Sequence, residues 1–195
     1  MSETTDTKVL ENVTAFIAEK RKKYDADVRR FLRLGSISLN RDISLQADQL
    51  RQVREYLNEC TALFRDVEML LSLSENMQRD VQFLLDEAVM QKMTDSEWMK
   101  ANTTAKMAKE ERRFAAEMQC RDLAEARKNI DNFVREVTAL KRVVVAKADD
   151  LDHTRKDIVA MVWAIKTEQY IRTGVPTGAN PQADDRAVND YMKGR

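Results

Sequence analysis

The chain is poor in the residues that make tight turns. Its 195 residues include only 4 Gly and 2 Pro, whereas average usage is roughly 7% and 5%. Neither residue occurs anywhere between Ser36 and Thr173. Because a sheet needs frequent turns, and turns depend heavily on Gly and Pro, this scarcity argues against sheets. The sequence therefore predicts an all-α protein.

Cysteine and histidine are also scarce. The two cysteines, Cys60 and Cys120, form neither a disulfide framework nor a metal-binding spacing, so we interpret them as small buried side chains in a reducing compartment. The single histidine, His153, shares a helical face with Asp149 and Asp157. One helix face offers only three ligands and no supporting shell, so we predict no metal site there.

The sequence also lacks the residue sets on which enzymes rely. Its four glycines lie near the ends of the chain and form no phosphate-binding loop. No Ser/His/Asp set and no Cys/His nucleophile pair can be assembled. We therefore predict no catalytic residues, no cofactor and no enzyme activity.

Charge and hydropathy exclude further classes of protein. The formal net charge is zero, from 33 basic and 33 acidic residues, which argues against coating nucleic acid or membranes through bulk charge. No apolar run approaches the ~18 residues of a membrane span. The polar, acidic start of the chain does not resemble a signal or transit peptide. We expect no transmembrane segment and a cytoplasmic location, which includes association with the cytoskeleton.

What the chain does contain is a sustained heptad repeat. Stepping in sevens from Ala116 meets only apolar residues, a pattern typical of a helix that keeps one seam turned toward a partner helix. The row consists of Ala116, Leu123, Ile130, Val137, Val144, Leu151, Ile158 and Ile165. Upstream, Thr94 and Glu97 match a capping box at a turn. Together these features predict one helix over about 95–172.

Two earlier segments also have helical periodicity. They predict a helix over about 8–34 and a long helix over about 42–92, so the chain reads as an elongated antiparallel coiled-coil helical hairpin with an additional N-terminal helix. A reversal at Met93–Thr94 would bring together residues whose numbers sum to roughly 187. The N-terminal helix either continues in line with the second helix or folds back to make a three-helix bundle.

These helices define the predicted domains. The hairpin is expected to occupy residues 42–172, preceded by a basic amphipathic helix at 8–34. Residues 1–7 are expected to form a short disordered lead, and residues 173–195 a flexible tail, because the tail holds three of the four Gly and both Pro.

The strongest local charge lies in the N-terminal helix. Residues 19–33 hold seven basic and three acidic side chains, which suits contact with an acidic protein, nucleic acid or anionic lipid. The alternative interpretation is the solvated face of an amphipathic helix. The candidate partner-binding patch consists of Lys20, Arg21, Lys22, Lys23, Arg29, Arg30 and Arg33.

The apolar stripes point to protein partners. The stripe of the second helix is about three positions wide per heptad, more than one partner helix can cover, so we predict a homo- or hetero-oligomer held by coiled-coil faces. The far end of the last helix lies beyond the reach of the second helix in the predicted register. We take its seam as a further candidate partner site, formed by Leu151, Ile158, Met161 and Ile165.

The last helical stretch resembles a known family. The segment from Ile158 through Ile165 to Tyr170 and Gly174 resembles the C-terminal helix of phage recombination mediators of the UvsY type. This resemblance implies a small helical oligomer that binds single-stranded DNA and helps to load a recombinase.

Three functional hypotheses follow. The first is a non-enzymatic structural or scaffolding coiled-coil subunit of a cytosolic assembly, of the cytoskeletal, axonemal or tethering-complex type. The alternative is an oligomeric accessory protein that binds single-stranded DNA, as the resemblance implies. A membrane-remodelling scaffold would need an insertable amphipathic end, which the first helix could supply.

Overall fold

The described part of the chain folds into five helices. The computed structural model describes residues 3–39, 42–104 and 106–173, and within these ranges there is no β-strand. The fold is therefore all-α and consistent with the predicted helical hairpin. The helices are α1 (Glu3–Leu32), α2 (Ile43–Thr94), α3 (Ser96–Asn102), α4 (Lys109–Gln119) and α5 (Arg121–Thr173).

The two long helices, α2 and α5, run antiparallel. The Gln78 side chain donates to Asp131 at 2.7 Å, and Lys141 Nζ donates to Glu68 at 3.1 Å. The residue numbers in both pairs sum to 209, so the register predicted at roughly 187 is wrong. The discrepancy arises because α3 and the segment that joins it to α4 lie between the two arms of the hairpin, where the prediction placed a single turn.

The second arm is divided, where the sequence predicted one helix over 95–172. The chain leaves the helical conformation at Thr103, whose φ of −131° and ψ of 155° are extended, and the Thr103 hydroxyl donates to the Met99 carbonyl at 2.6 Å. Such side-chain bonds compete with helix continuation. A second interruption falls at Cys120. Because it interrupts the helix at only one residue, it leaves the apolar spacing unchanged.

The predicted helix start at Thr94 is displaced by one residue. The backbone N–H groups of Glu97 and Trp98 both donate to Asp95 Oδ1, at 2.9 and 3.2 Å, so Asp95 is the N-cap of α3. The Thr94 hydroxyl instead donates to the carbonyls of Met90 and Gln91 at the end of α2. The capping box expected from Thr94 and Glu97 is therefore wrong.

Helix α1 folds back as the third helix of a bundle. Its contacts with α2 join Arg30 to Glu59 and Lys23 to Asp66, pairs whose numbers both sum to 89, so the two helices are antiparallel. Its contacts with α5 join Thr7 to Asp122 and Arg21 to Glu136. The separation is 115 residues in both cases, so α1 is parallel to α5. The in-line placement is wrong, and the folded-back alternative is the one observed.

The ends of the chain differ in part from the prediction. Helix α1 begins at Glu3, so residues 3–7 belong to a helix and not to a disordered lead. Met1 and Ser2 lie outside the described residues. Thr173 is the last residue of α5, and the remainder of the tail predicted at 173–195 also lies outside the described residues.

The chain forms two compact units. The first comprises residues 1–35 and 58–149. One of its core clusters includes Val13, Leu63, Ile130 and Phe133, and a second includes Leu85, Val89, Ala116, Cys120 and Leu123.

The second unit comprises residues 36–57 and 150–195. In its described part, the buried side chains are Gln46, Val53, Leu151 and Ile158.

Candidate helix interaction surfaces

The described residues contain no cluster suited to catalysis by a metal or a thiol. No group of three or more His, Cys, Asp and Glu side chains among them is arranged to hold a metal ion. Cys60 and Cys120 are free and buried, and burial raises the pKa of both thiols. A raised pKa disfavours the reactive thiolate.

No helix among the described residues has the length and apolar character needed to span a bilayer.

The predicted basic patch on α1 contains an internal ionic network centred on Arg30. Its guanidinium donates to Asp66 at 2.7 Å, to Glu59 at 2.9 Å and to Asp27 at 3.1 Å. Lys23 lies 3.4 Å from the other oxygen of Asp66. Arg30 and Lys23 therefore form ion pairs that hold α1 against α2 and stabilise the bundle.

The pKa values of Asp27 and Asp66, two carboxyl groups around Arg30, are shifted in opposite directions. The hydrogen bond from Arg30 lowers the pKa of Asp66 and, with the bond to Glu59, raises the pKa of Arg30 itself. Asp27 is only 2% exposed, and its burial, followed by repulsion from Asp66, raises its pKa in spite of Arg30. Asp27 Oδ2 has no hydrogen-bond partner among the described residues, so the fold opposes ionisation at this position.

Two more members of the predicted patch are also engaged. Arg21 forms an ion pair with Glu136 on α5, and its guanidinium lies 5.2 Å from the centre of the Tyr24 ring. Lys20 pairs with Glu19 at 2.7 Å and lies over the Phe16 ring. Both side chains remain near the surface, but their charges already have partners within the first unit.

The other three members, Lys22, Arg29 and Arg33, are exposed. Within the described part of the chain, none of them lies within ion-pair distance of a carboxylate. Their spacing of seven and then four residues places all three on the same side of α1 and its C-terminal end. Sequence reasoning did not separate them from the other four, because the separation depends on where α2 and α5 lie.

The candidate seam at the end of α5 is largely covered. Leu151 and Ile158 are each 1% exposed, so their side chains are buried within the second unit. Met161 and Ile165 are half-buried and retain some accessible surface. This seam remains a prediction that rests on two of its four residues.

Another exposed apolar surface lies on α2. Seven exposed residues follow one another at alternating spacings of four and three, which places them in one line opposite the core. Four are large and apolar: Phe83 is 68% exposed, Met90 59%, Met69 54% and Leu73 41%. We call this line the α2 outer row, which consists of Met69, Leu73, Asn76, Asp80, Phe83, Glu87 and Met90.

The apolar pattern of α2 predicts additional partners, but for a different row of residues. The width of the α2 stripe predicted extra partners, but its members Leu63 and Leu70 are buried, while Met77 and Leu84 are half-buried. Within the chain α1 supplies the third helix that such a wide stripe requires. The row that stays exposed is a different one, and its 3–4 spacing could have been found by testing every face of the helix.

A smaller exposed pair lies on α4. Phe114 and Met118 are 66% and 64% exposed and lie one turn apart, opposite the buried Ala116. Beside α4, the Trp98 indole of α3 donates to Gln119 at 2.6 Å. The pair therefore adds a second, shorter apolar surface to the first unit.

A groove of about 430 Å³ lies between α1 and α5. Its lining includes Ile17, Phe133, Asn132 and the Arg21–Glu136 ion pair. These groups offer apolar contact and hydrogen bonds. The groove therefore suits the insertion of a side chain.

The comparisons with known proteins do not identify a relative. No protein-family model, no curated protein and no solved structure matches the chain. The scaffold interpretation and the resemblance to recombination mediators therefore depend on the residues of this chain alone.

Proposed function

We propose that the chain is a non-enzymatic structural subunit that joins a larger helical assembly through its exposed helix faces. The observation that carries the proposal is the α2 outer row. Four large apolar side chains in one line, each at least 41% exposed, form the kind of surface that marks interaction sites. Their spacing is that of a helix-packing seam.

The energetics favour a helical partner. Full burial of a Phe, Met or Leu side chain stabilises by about 1.5–3 kcal/mol, so a helix that covers Met69, Leu73, Phe83 and Met90 gains several kcal/mol before entropy losses. Asn76, Asp80 and Glu87 interrupt the apolar members. Polar residues within a seam select the partner and its register, at a cost in affinity.

A cytoplasmic location and a cytoskeletal, axonemal or tethering assembly complete this proposal. They are supported by the neutral net charge and by the long helices, which could hold other subunits at a fixed distance. Among the described residues, no group of three or more His, Cys, Asp and Glu side chains is arranged to hold a catalytic metal ion.

The proposal can be tested by photocrosslinking in cells that produce the protein. A photoreactive phenylalanine analogue replaces Phe83 or, in a second variant, Met90. The matched control carries the analogue at Lys128, which is exposed on α5 outside the row. We expect crosslinked protein adducts from both row positions and none from the control. If neither row position gives an adduct, the proposal is wrong.

A second candidate function is binding of single-stranded DNA by an accessory protein. The observation that favours it is the set of exposed cations Lys22 and Arg29 on α1 and Arg33 directly after its C-terminal end. Three phosphate contacts would give weak, strongly salt-dependent binding. Fluorescence anisotropy with a labelled oligonucleotide tests this candidate, and absence of binding at low salt would eliminate it.

A further inference from the structure

Helix α1 carries an outward row of its own. Seven residues at the same alternating spacing of four and three are all exposed. Their line runs along the outer surface of α1 and borders the groove between α1 and α5 at Ala18. We call this line the α1 outer row. It consists of Glu11, Ala15, Ala18, Lys22, Asp25, Arg29 and Leu32.

The two outer rows match one another position by position. Adding 58 to each residue number of the α1 outer row gives the corresponding member of the α2 outer row. This match places Lys22 beside Asp80 and Arg29 beside Glu87. Two cations that lack an ion pair among the described residues would thus meet two exposed carboxylates at the same seven-residue spacing. Opposite charges at matched positions set the partner and register of paired helices.

The apolar members of the rows are also paired by this match. Ala15 comes beside Leu73, which combines a small side chain with a large one, and Leu32 comes beside Met90. Leu32 is 73% exposed, the largest exposure among the large apolar members of the two rows. Burial of these side chains would supply the non-directional part of the attraction.

Three positions are not complementary, and at one of them Ala18 comes beside the polar Asn76. Asp25 comes beside Phe83, and Glu11 comes beside Met69. Asp25 lies 3.9 Å from the Arg21 guanidinium, which offsets part of the cost of placing its charge near an aromatic ring. The pairing should therefore be of modest affinity, with its specificity set by the two charge pairs.

The rows cannot meet within one chain. Helix α1 runs antiparallel to α2 and packs against it with the opposite side, whereas equivalent heptad positions face each other when the helices are parallel. We propose that the α1 outer row of one molecule docks in parallel on the α2 outer row of a second copy of this chain. The inference rests on the proposed function, because it identifies the partner of that same exposed surface.

This contact would be heterologous. Each molecule presents both rows, so a copy bound through α1 still offers its α2 outer row to the next one. Heterologous contacts close into rings or continue into filaments. This docking arrangement therefore predicts that assemblies larger than a dimer form as the protein concentration rises.

Charge exchange between the rows tests the inference. One variant combines Lys22→Glu with Arg29→Glu, and a second combines Asp80→Lys with Glu87→Lys. The control combines Lys128→Glu with Arg135→Glu, which reverses two exposed cations seven residues apart on α5. The mass distribution of each full-length chain is measured by sedimentation velocity over a concentration series, alone and in mixtures.

We expect the wild type and the control to self-associate. Each row variant alone should require at least about tenfold more protein for the same association, because like charges then face each other. An equimolar mixture of the two row variants should regain association, because the exchanged charges are again opposite. The inference is overturned if both row variants associate like the wild type, if the mixture stays dissociated, or if the wild type remains monomeric throughout.

A second measurement applies if a charge variant fails to fold. Chains carrying Lys22→Cys are mixed with chains carrying Asp80→Cys and oxidised. A disulfide dimer that contains one chain of each kind supports the register, whereas its absence contradicts it. The photocrosslinks at Phe83 and Met90 remain informative in every case. Adducts with a different protein would retain the proposed function while the self-docking inference fails.

Discussion

The two compact units of the chain differ in how many helices share their cores. In the unit of residues 1–35 and 58–149, α1 packs beside α2 and α5, and Phe133 of α5 meets Tyr24 of α1 edge to face, with ring centres 6.1 Å apart. In the described part of the unit of residues 36–57 and 150–195, only stretches of α2 and α5 are helical. Fewer apolar side chains are correspondingly buried there.

This difference shows what a third helix contributes. Two helices bury one narrow stripe each, whereas three helices enclose a continuous core. Val13, Phe133 and Val137 are almost fully buried in the first unit, while Val53, Leu151 and Ile158 are the buried apolar side chains in the described part of the second. We therefore expect local stability to be higher in the first unit.

The largest expected effect comes from emptying the core that α1 helps to enclose. Phe133→Ala should lower the free energy of unfolding by about 4 kcal/mol, because it removes a buried ring and leaves a cavity. Urea denaturation followed by circular dichroism measures the change. The control, Val143→Ala on the same helix, alters a side chain that is 45% exposed and should change the free energy by less than about 0.5 kcal/mol.

A somewhat smaller effect is expected in the two-helix core. Leu151→Ala should cost about 2–3 kcal/mol, at the lower end for such substitutions, because fewer neighbours surround the side chain. Hydrogen exchange should accelerate mainly over residues 150–173. Equal acceleration in residues 123–144 would show that the two cores do not differ in the way that we infer.

The third expected effect concerns the attachment of α1. Arg30→Ala should destabilise by about 2 kcal/mol, because it removes hydrogen bonds to three carboxylates and leaves Asp27 buried without its cation. Urea denaturation of Arg33→Ala provides the control, since Arg33 is exposed and forms no ion pair with a described residue. Equal stability of both variants would contradict a structural role for the Arg30 network.

The smallest expected effect has the opposite sign. Asp27→Asn should stabilise by about 1 kcal/mol near neutral pH, since it removes a buried charge with an unbonded oxygen. Because the pKa of Asp27 is raised in the fold, its ionisation destabilises above that folded pKa and this cost disappears as the pH falls through it. The difference between wild type and variant should therefore shrink toward acid pH, as denaturation at several pH values would reveal.

Asp66 provides an internal contrast for that pH series. Its pKa is lowered by Arg30, so its stabilising contribution is complete above the unfolded pKa of about 3.9 and is lost as the pH falls through the folded value. Asp66→Asn should consequently destabilise at neutral pH and approach the wild type in strong acid. A destabilised Asp27→Asn variant at neutral pH would contradict the opposite assignment of the two carboxyl groups.

The sequence correctly predicted which side of α4 and α5 is buried. From Ala116 to Ile158 every member of the seven-residue row is buried, because burial follows the helical period whether or not the helix is interrupted. For the same reason the row did not reveal the break at Cys120. The period also could not distinguish the two placements of α1, since both bury the same stripe.

The candidate interaction surfaces were less predictable. Arg30 and Arg29 are neighbours in sequence, yet one binds three carboxylates and the other is exposed without an ion pair to a described residue. Their roles depend on the position of Glu59 and Asp66 on another helix, which local charge patterns do not specify. Likewise, Leu151 and Phe83 both occupy apolar helical positions, and only tertiary packing makes one buried and the other exposed.

The parallel packing of α1 on α5 has a consequence for synthesis of the chain. Their contacts join residues 115 apart, as in Thr7 with Asp122, so α1 leaves the ribosome well before its partner exists. At about 5–20 residues per second, the delay is roughly 6–23 s. During that time only α2 can cover α1, and the part of α1 that meets α5, which includes Tyr24, must stay uncovered or be shielded by a chaperone. Nascent chains are therefore most prone to aggregate in this interval.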